Sequence, residues 1–165
     1  MLILIFLISC TDKQNNSEKS VFTYNEAAGI ISLDPAFSRD LAHIWICNQL
    51  YNSLVKLNDS LEVAPSIARN WEISEDGLNY TFNLRTDVFF HKDSSFKGAS
   101  RKVVASDFVY SFNRLLDPKT ASPGAWVLSN VKKKNNSYAI YALNDSTLHI
   151  EISKPFPPFL GILSM

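Results

Sequence analysis

Residues 71–118 change their hydrophobic period from two to about 3.6 residues, and this change constrains the fold more than any other feature of the sequence. Over residues 78–85 apolar side chains alternate with polar ones, which predicts an antiparallel strand that buries Leu78, Tyr80, Phe82 and Leu84. The short alternation of Trp71 and Ile73 ends at a turn cluster, residues 75–77, so we expect a hairpin. Apolar residues recur at helical spacing over residues 106–116, which predicts an amphipathic helix packed on that hairpin.

Weaker patterns predict the remaining elements. Two further hairpins are expected, around polar turns at residues 58–60 and 144–146. Residues 21–24 are interpreted as a short strand, and Pro65 as the first turn of a short helix that ends at Arg69. Residues 39–54 are apolar on most sides and predict a buried helix, with Ser38 as its N-cap and Cys47 in the core. The fold class is therefore α/β, in the sense of a mixed α+β chain.

The composition is that of an ordinary globular chain of 165 residues, with 46% hydrophobic and 12% aromatic residues. A chain of this length can bury a sizeable core, so one domain is the default expectation. The 16 basic residues balance the 16 acidic ones, and the basic run at residues 132–134 is interpreted as a solvated loop. We therefore expect no nucleic-acid partner.

The N-terminus has the features of an exported lipoprotein. Residues 2–8 form an apolar run that is too short to span a membrane, and residues 1–9 are interpreted as a signal peptide. Residues 7–10 resemble a bacterial lipobox, so we expect Cys10 to be lipidated and residues 10–20 to form a tether to the membrane. The basic residues that usually precede the apolar run are missing. The alternative is a buried N-terminal strand with a core cysteine.

The sequence contains little that points to catalysis. His43, His91 and His149 lie on different predicted elements, with no carboxylate or cysteine at ligand spacing. Neither a Gly-rich phosphate loop nor a Gly-x-Ser-x-Gly elbow occurs in the sequence. Asp34 stands before a proline, where a side-chain hydrogen bond within the turn is the usual role of an aspartate. We expect no enzyme activity, metal or cofactor.

Several motifs occur in an order that is similar to that of the bacterial extracellular solute-binding proteins of family 5: L-D-P-A, W-E-x-S-x-D-G-L-x-Y-T-F-x-L-R, F-H, A-S-D-F-V-Y-S-F-N-R-L-L-D-P-K-T-A-S-P and K-P-F-P-P-F-L. The resemblance implies a periplasmic-binding-protein-like class II fold with two lobes. Residues 21–165 would then be the N-terminal part of the solute-binding domain, cut before the second lobe. It also implies a lipid-anchored protein of the periplasm or cell envelope that captures peptides and delivers them to the permease of an ABC importer.

The same resemblance implies where cargo binds. The best candidates for the ligand cleft follow the Leu-Asp-Pro turn: Ala36, Phe37, Ser38, Arg39 and Asp40. Arg39 or Asp40 would meet a ligand terminus or a polar side chain. The alternative is that these residues cap the following helix.

Other functions stay open at this point. One is the same fold with another cargo, such as a nickel complex, haem or an oligosaccharide. Another is a lipoprotein enzyme or assembly factor that uses the module as a scaffold. For the full-length protein we expect a monomer.

Overall fold

A computed structural model describes residues 21–27, 29–135 and 137–164 of the protein. The predicted signal peptide, the tether and Cys10 lie outside these residues and stay predictions. In chain order the elements are α1 (Leu41–Leu50), β1 (Val55–Leu57), β2 (Val63–Pro65), β3 (Ala68–Ile73), β4 (Asn79–Leu84), α2 (Ala105–Leu116), β5 (Lys133–Lys134), β6 (Ser137–Tyr138), β7 (Ile140–Asn144), β8 (Thr147–Glu151) and α3 (Phe159–Ile162). Short 3-10 turns occur at Pro35–Phe37, Ser94–Phe96 and Ala125–Leu128.

A four-stranded antiparallel sheet in the order β3-β4-β8-β7 carries most of the core. Tyr80, Phe82 and Leu84 of β4 are buried, as the alternation of this segment predicts. In the register, Phe82 lies opposite Leu148 of β8 and Tyr80 lies opposite Ile150. Because side chains of adjacent strands pack on one face in this register, the two hairpins share a single core.

The turn between β3 and β4 has the predicted chemistry. Gly77 has φ +67°, a left-handed conformation that costs glycine little. Asp76 Oδ1 accepts the Leu78 N–H at 3.0 Å, and the Ser74 hydroxyl donates to the same oxygen at 2.5 Å. The turn therefore fixes the register of the hairpin that β3 and β4 form around it.

Helix α2 matches the predicted amphipathic helix, but its predicted packing partner was wrong: α2 covers the sheet at β7 and β8 and not mainly at the hairpin of β3 and β4. Asp107 lies in its first turn and accepts the Val104 N–H at 2.9 Å, which satisfies a donor at the helix start. Its apolar face packs on the core through Phe108, Val109, Phe112, Leu115 and Leu116. The opposite face exposes Tyr110 and leaves Arg114 half-exposed.

The smaller elements differ from prediction in four places. Two residues of the basic run that was interpreted as a loop, Lys133 and Lys134, form β5 and pair with β6, although both stay exposed. The hairpin around residues 58–60 is confirmed, although β2 is shifted to Val63–Pro65. The short helix predicted from Pro65 is wrong: Pro65 ends β2, and Ala68 begins β3 with its side chain fully buried. Residues 21–24 form no strand, and within the described part of the chain no neighbouring strand offers them a ladder.

Helix α1 corrects two predictions. It begins at Leu41 with Asp40 as its N-cap, and Ser38 instead follows the 3-10 turn. Its burial was also predicted wrongly, because Leu41 is 73% exposed and Trp45 is 59% exposed. Only His43 and Cys47 of this helix are buried among the residues described. Apolar composition shows that a helix needs a partner, but the partner must be supplied by the fold.

None of the helices in the described ranges has both the length and the apolar character needed to cross a bilayer.

Candidate functional site

A cleft of about 360 Å³ opens between the segment before α1 and the loop after α2. One side is lined by Ile31, Ser32, Phe37, Arg39, Asp40 and His43, and the other by Ala121 and Pro123. Its volume lies at the small end of the range for ligand pockets in proteins. The lining mixes apolar surface with both signs of charge, as a site for a small polar molecule would require.

Asp34 holds the turn at Pro35–Phe37, which lies in the side of the cleft formed by residues 31–43, the cleft wall. Asp34 Oδ1 accepts the Ala36 N–H at 3.0 Å, and the Asp34 carbonyl accepts the Phe37 N–H at 3.0 Å. Asp34 therefore has the turn role that its position before a proline predicts. This local turn directs the ring of Phe37 towards the cleft.

His43 joins the two ends of the same wall. Its Nδ1 lies 2.6 Å from Asp40 Oδ1, and its Nε2 accepts the Ile31 N–H at 3.1 Å. Since Nε2 is an acceptor here, the proton lies on Nδ1 and is donated to Asp40. The hydrogen bond from His43 is the main cause of the lowered pKa of the Asp40 carboxyl group. The Asp40 carboxylate is thus already engaged within the protein.

Arg39 is in a different situation from its neighbour Asp40. Its side chain is exposed at the cleft and has no hydrogen-bonding partner among the residues described. Phe37, which is 43% exposed, lies on the same wall. A guanidinium group and an aromatic ring that line the same cleft are suited to a ligand that carries a carboxylate and an apolar group.

Two residues from later in the chain hold this wall. Arg114 of α2 donates from both terminal nitrogens to Asp34, at 2.9 Å to Oδ1 and 2.5 Å to Oδ2. This pairing lowers the pKa of Asp34 and raises that of Arg114. The Ser122 hydroxyl donates to the Ala36 carbonyl at 2.6 Å. Neither contact follows from a local sequence pattern, because the partners are 80 and 86 positions apart.

The sequence-based candidates fall into two groups. Phe37, Arg39 and Asp40 line the cleft. Ala36 is buried and engaged through its carbonyl, while the Ser38 hydroxyl lies 3.1 Å from Cys47 Sγ, so neither lines it. The helix-capping alternative holds for Asp40 and does not hold for Ser38.

Sequence reasoning missed most of the other lining residues. The sequence analysis assigned no site role to His43 or to the loop at residues 121–123. One signal was available, since His43 stands three positions after Asp40, a spacing at which side chains meet at a helix start. No group of three metal-ligating side chains comes together within the described ranges.

Comparison with protein families and known proteins places this geometry in context. The profile of the bacterial extracellular solute-binding proteins, family 5 Middle, matches residues 62–165. The periplasmic murein peptide-binding protein MppA of Escherichia coli K12 is 36% identical over 143 residues, which cover 79% of this chain and 25% of that protein. Heme-binding protein A of Haemophilus influenzae is 32% identical over 157 residues, covering 91% of this chain and 28% of the relative.

The fold agrees with the sequence similarity. The solved structure of the Escherichia coli murein tripeptide binding protein MppA matches with a TM-score of 0.69 at 33% identity, over 81% of this chain and 27% of that one. The chain therefore spans about a quarter of the length of these relatives.

Proposed function

Since the chain belongs to the bacterial extracellular solute-binding proteins of family 5, we propose that it is part of the substrate-binding component of an ABC importer that captures peptides. The protein would hold its cargo in a cleft and pass it to a membrane permease, without chemical change to the cargo. The relatives reported above are named as binding proteins and not as enzymes. Closure of the cleft around the cargo would exclude water from the contacts.

The cleft beside α1 is the observation that carries this proposal. Arg39 supplies a positive charge without a hydrogen-bonding partner among the described residues, and Phe37 and Ile31 supply apolar surface. A short peptide offers complementary groups, namely a terminal carboxylate and apolar side chains. Of the five candidates proposed from sequence, Phe37, Arg39 and Asp40 line the cleft and would touch cargo, while Ala36 and Ser38 would support the wall.

A second cargo has one specific observation in its favour. Heme-binding protein A is among the relatives, and haem also carries carboxylates that Arg39 could bind. The cleft argues against haem ligation by its histidine, because both ring nitrogens of His43 are engaged, with Ile31 and with Asp40. An iron ligand would have to give up one of these bonds. Peptide is therefore the favoured cargo.

Attachment to the cell envelope completes the proposal. Lipidation of Cys10 would hold the protein at a membrane, and residues 10–20 would let the binding domain reach the permease. The periplasmic location named for MppA supports the compartment in this proposal, and the lipid anchor rests on the sequence around Cys10.

A ligand panel tests the proposed cargo. We expect tri-alanine and other short peptides to raise the melting temperature of the complete gene product, because a ligand that binds the folded state stabilises it. Haemin, nickel-histidine and an oligosaccharide serve as competing cargoes in the same calorimetric screen. A rise with one of these and none with any peptide would contradict the peptide assignment.

A further inference from the structure

The cleft wall formed by residues 31–43 has few attachments to the rest of the structure. Several of its hydrogen bonds join residues of the same segment, such as those from His43 to Asp40 and from Ile31 to His43. Helix α1, which continues this wall, packs mainly against the Pro35–Phe37 turn and leaves Leu41 and Trp45 exposed. The position of the wall therefore depends on contacts from residues outside this segment and α1.

Arg114 provides one such attachment. Its helix, α2, is anchored on the sheet by its apolar face, so the backbone of Arg114 is fixed. Its side chain makes the two-pronged ion pair with Asp34, and the guanidinium carbon lies 5.9 Å from the centre of the Phe37 ring. One residue of α2 thus contacts the base of the wall and faces the ring that lines the cleft.

Ser122 provides the other attachment. Its hydroxyl donates to the Ala36 carbonyl at 2.6 Å and accepts the Gly124 N–H at 3.1 Å. Its two neighbours, Ala121 and Pro123, line the opposite side of the cleft. Ser122 therefore links the cleft wall to the loop on the opposite side of the cleft. In the described ranges, Arg114 and Ser122 supply the side-chain hydrogen bonds that tie residues 31–43 to the chain beyond α1, while Cys47 of α1 contacts Ser38 and Leu33 locally.

We propose that Arg114 and Ser122 are positioning residues that hold the cleft wall in its binding geometry before cargo arrives. The expected effect on cargo affinity rests on the proposed function of the cleft. The claim that Arg114 and Ser122 hold the wall rests on the contacts alone. A wall that is held in advance does not have to be ordered by the ligand, and this ordering otherwise lowers affinity. If loss of the ion pair left the wall in place one tenth of the time, affinity would fall about tenfold.

Amide hydrogen exchange in the free, complete gene product tests whether Arg114 and Ser122 hold the cleft wall. We expect Arg114→Gln to speed exchange about tenfold at the amides of Phe37, His43 and Ile44, because local opening of the wall exposes them. Exchange in β4 should stay unchanged. The matched control is Arg85→Gln, which breaks a similar two-pronged pair with Asp87 at 2.9 and 3.0 Å, away from the cleft. This control should alter neither region.

Two further variants sharpen this measurement. Arg114→Lys keeps the charge and loses the two-pronged geometry, so we expect an intermediate acceleration. Ser122→Ala should accelerate exchange at Phe37 without removing any charge. Unchanged exchange at the wall in Arg114→Gln would overturn the inference, and so would an equal acceleration in β4, which would indicate a general loss of stability.

Titration with tri-alanine separates this inference from the proposed function. We expect wild type and Arg85→Gln to bind alike, and Arg114→Gln to bind about tenfold more weakly. If wild type binds no peptide while the exchange results hold, the peptide function is wrong and the positioning role stands. If wild type binds and Arg114→Gln matches it in both binding and exchange, the function stands and the positioning role is wrong.

Discussion

Arg39 is the residue on which recognition of cargo is expected to depend most. Its guanidinium group faces the cleft without a hydrogen-bonding partner in the described ranges, whereas Asp40 is held by His43. Because a charged hydrogen bond contributes about 1.5–3 kcal/mol, Arg39→Gln should weaken binding of tri-alanine by about 10- to 100-fold. Arg69→Gln is the matched control, since Arg69 is an exposed arginine on β3 outside the cleft lining.

The ligand offers the complementary deletion. Tri-alanine amide lacks the terminal carboxylate, so it should bind wild type as weakly as tri-alanine binds Arg39→Gln. The two losses should not add, because both remove the same contact. Titration calorimetry of the four combinations gives the coupling, and equal affinity of wild type for the acid and the amide would contradict this role for Arg39.

Glu151 makes the stability of the sheet dependent on pH. The hydrogen bond from Lys134, helped by those from Tyr141 and Lys132, lowers the pKa of Glu151 from 4.5 to about 2. A carboxyl group whose pKa is lower in the folded state stabilises the fold above pH 4.5, and this contribution is lost as the pH falls through about 2. Because both lysines are half exposed, we expect the contribution to be about 1–2 kcal/mol.

Urea unfolding between pH 7 and pH 2 measures this effect. Glu151→Gln should lower the free energy of unfolding at pH 7 and flatten its dependence on pH between 4.5 and 2. The control is Glu72→Gln, which removes an exposed carboxylate from β3. Parallel pH profiles for wild type and Glu151→Gln would show that the prediction is wrong.

At the scale of elements, two glycines should respond differently to the same substitution. Gly77 has φ +67°, and an added Cβ would meet Pro155 at 3.6 Å, an ordinary contact, so Gly77→Ala pays for backbone strain alone. We expect a loss of about 1–2 kcal/mol. Gly161 lies in α3 with no atom within 4 Å of an added Cβ, so Gly161→Ala should be neutral or gain up to about 1 kcal/mol. Equal urea midpoints for the two variants would contradict this.

The elements also show what sequence patterns can predict. The hairpin of β3 and β4 and the helix α2 were predictable because a buried face on one side produces a regular period. The burial of α1 was not, since an apolar helix has no period that identifies its partner. The ion pair of Asp34 with Arg114 was equally hidden, because on α2 an arginine of the polar face has the same pattern whether it is solvated or paired. Contacts between distant residues leave no local pattern, so the sequence located part of the cleft wall and missed the loop at residues 121–123 opposite it.

At the scale of the whole molecule, attachment to the membrane is expected to depend on one of the two cysteines. If Cys10 is acylated, Cys10→Ser should move the protein from the membrane fraction to the soluble periplasmic fraction, because the lipid is its anchor. Cys47→Ser is the matched control: Cys47 is buried beside Ser38, and its loss should leave the protein at the membrane. Immunoblots of fractionated cells measure the distribution. Membrane retention of Cys10→Ser would contradict the lipobox assignment.

The second cysteine has a use of its own. Cys47 Sγ lies 3.1 Å from the Ser38 hydroxyl and 3.9 Å from the Leu33 carbonyl, beneath the turn on which α1 rests. A sulfhydryl reagent therefore reaches it when α1 lifts away from that turn, and the rate of its labelling reports how often this happens. The opening of this corner can thus be timed through a thiol that the protein already has, and no cysteine needs to be introduced to follow it.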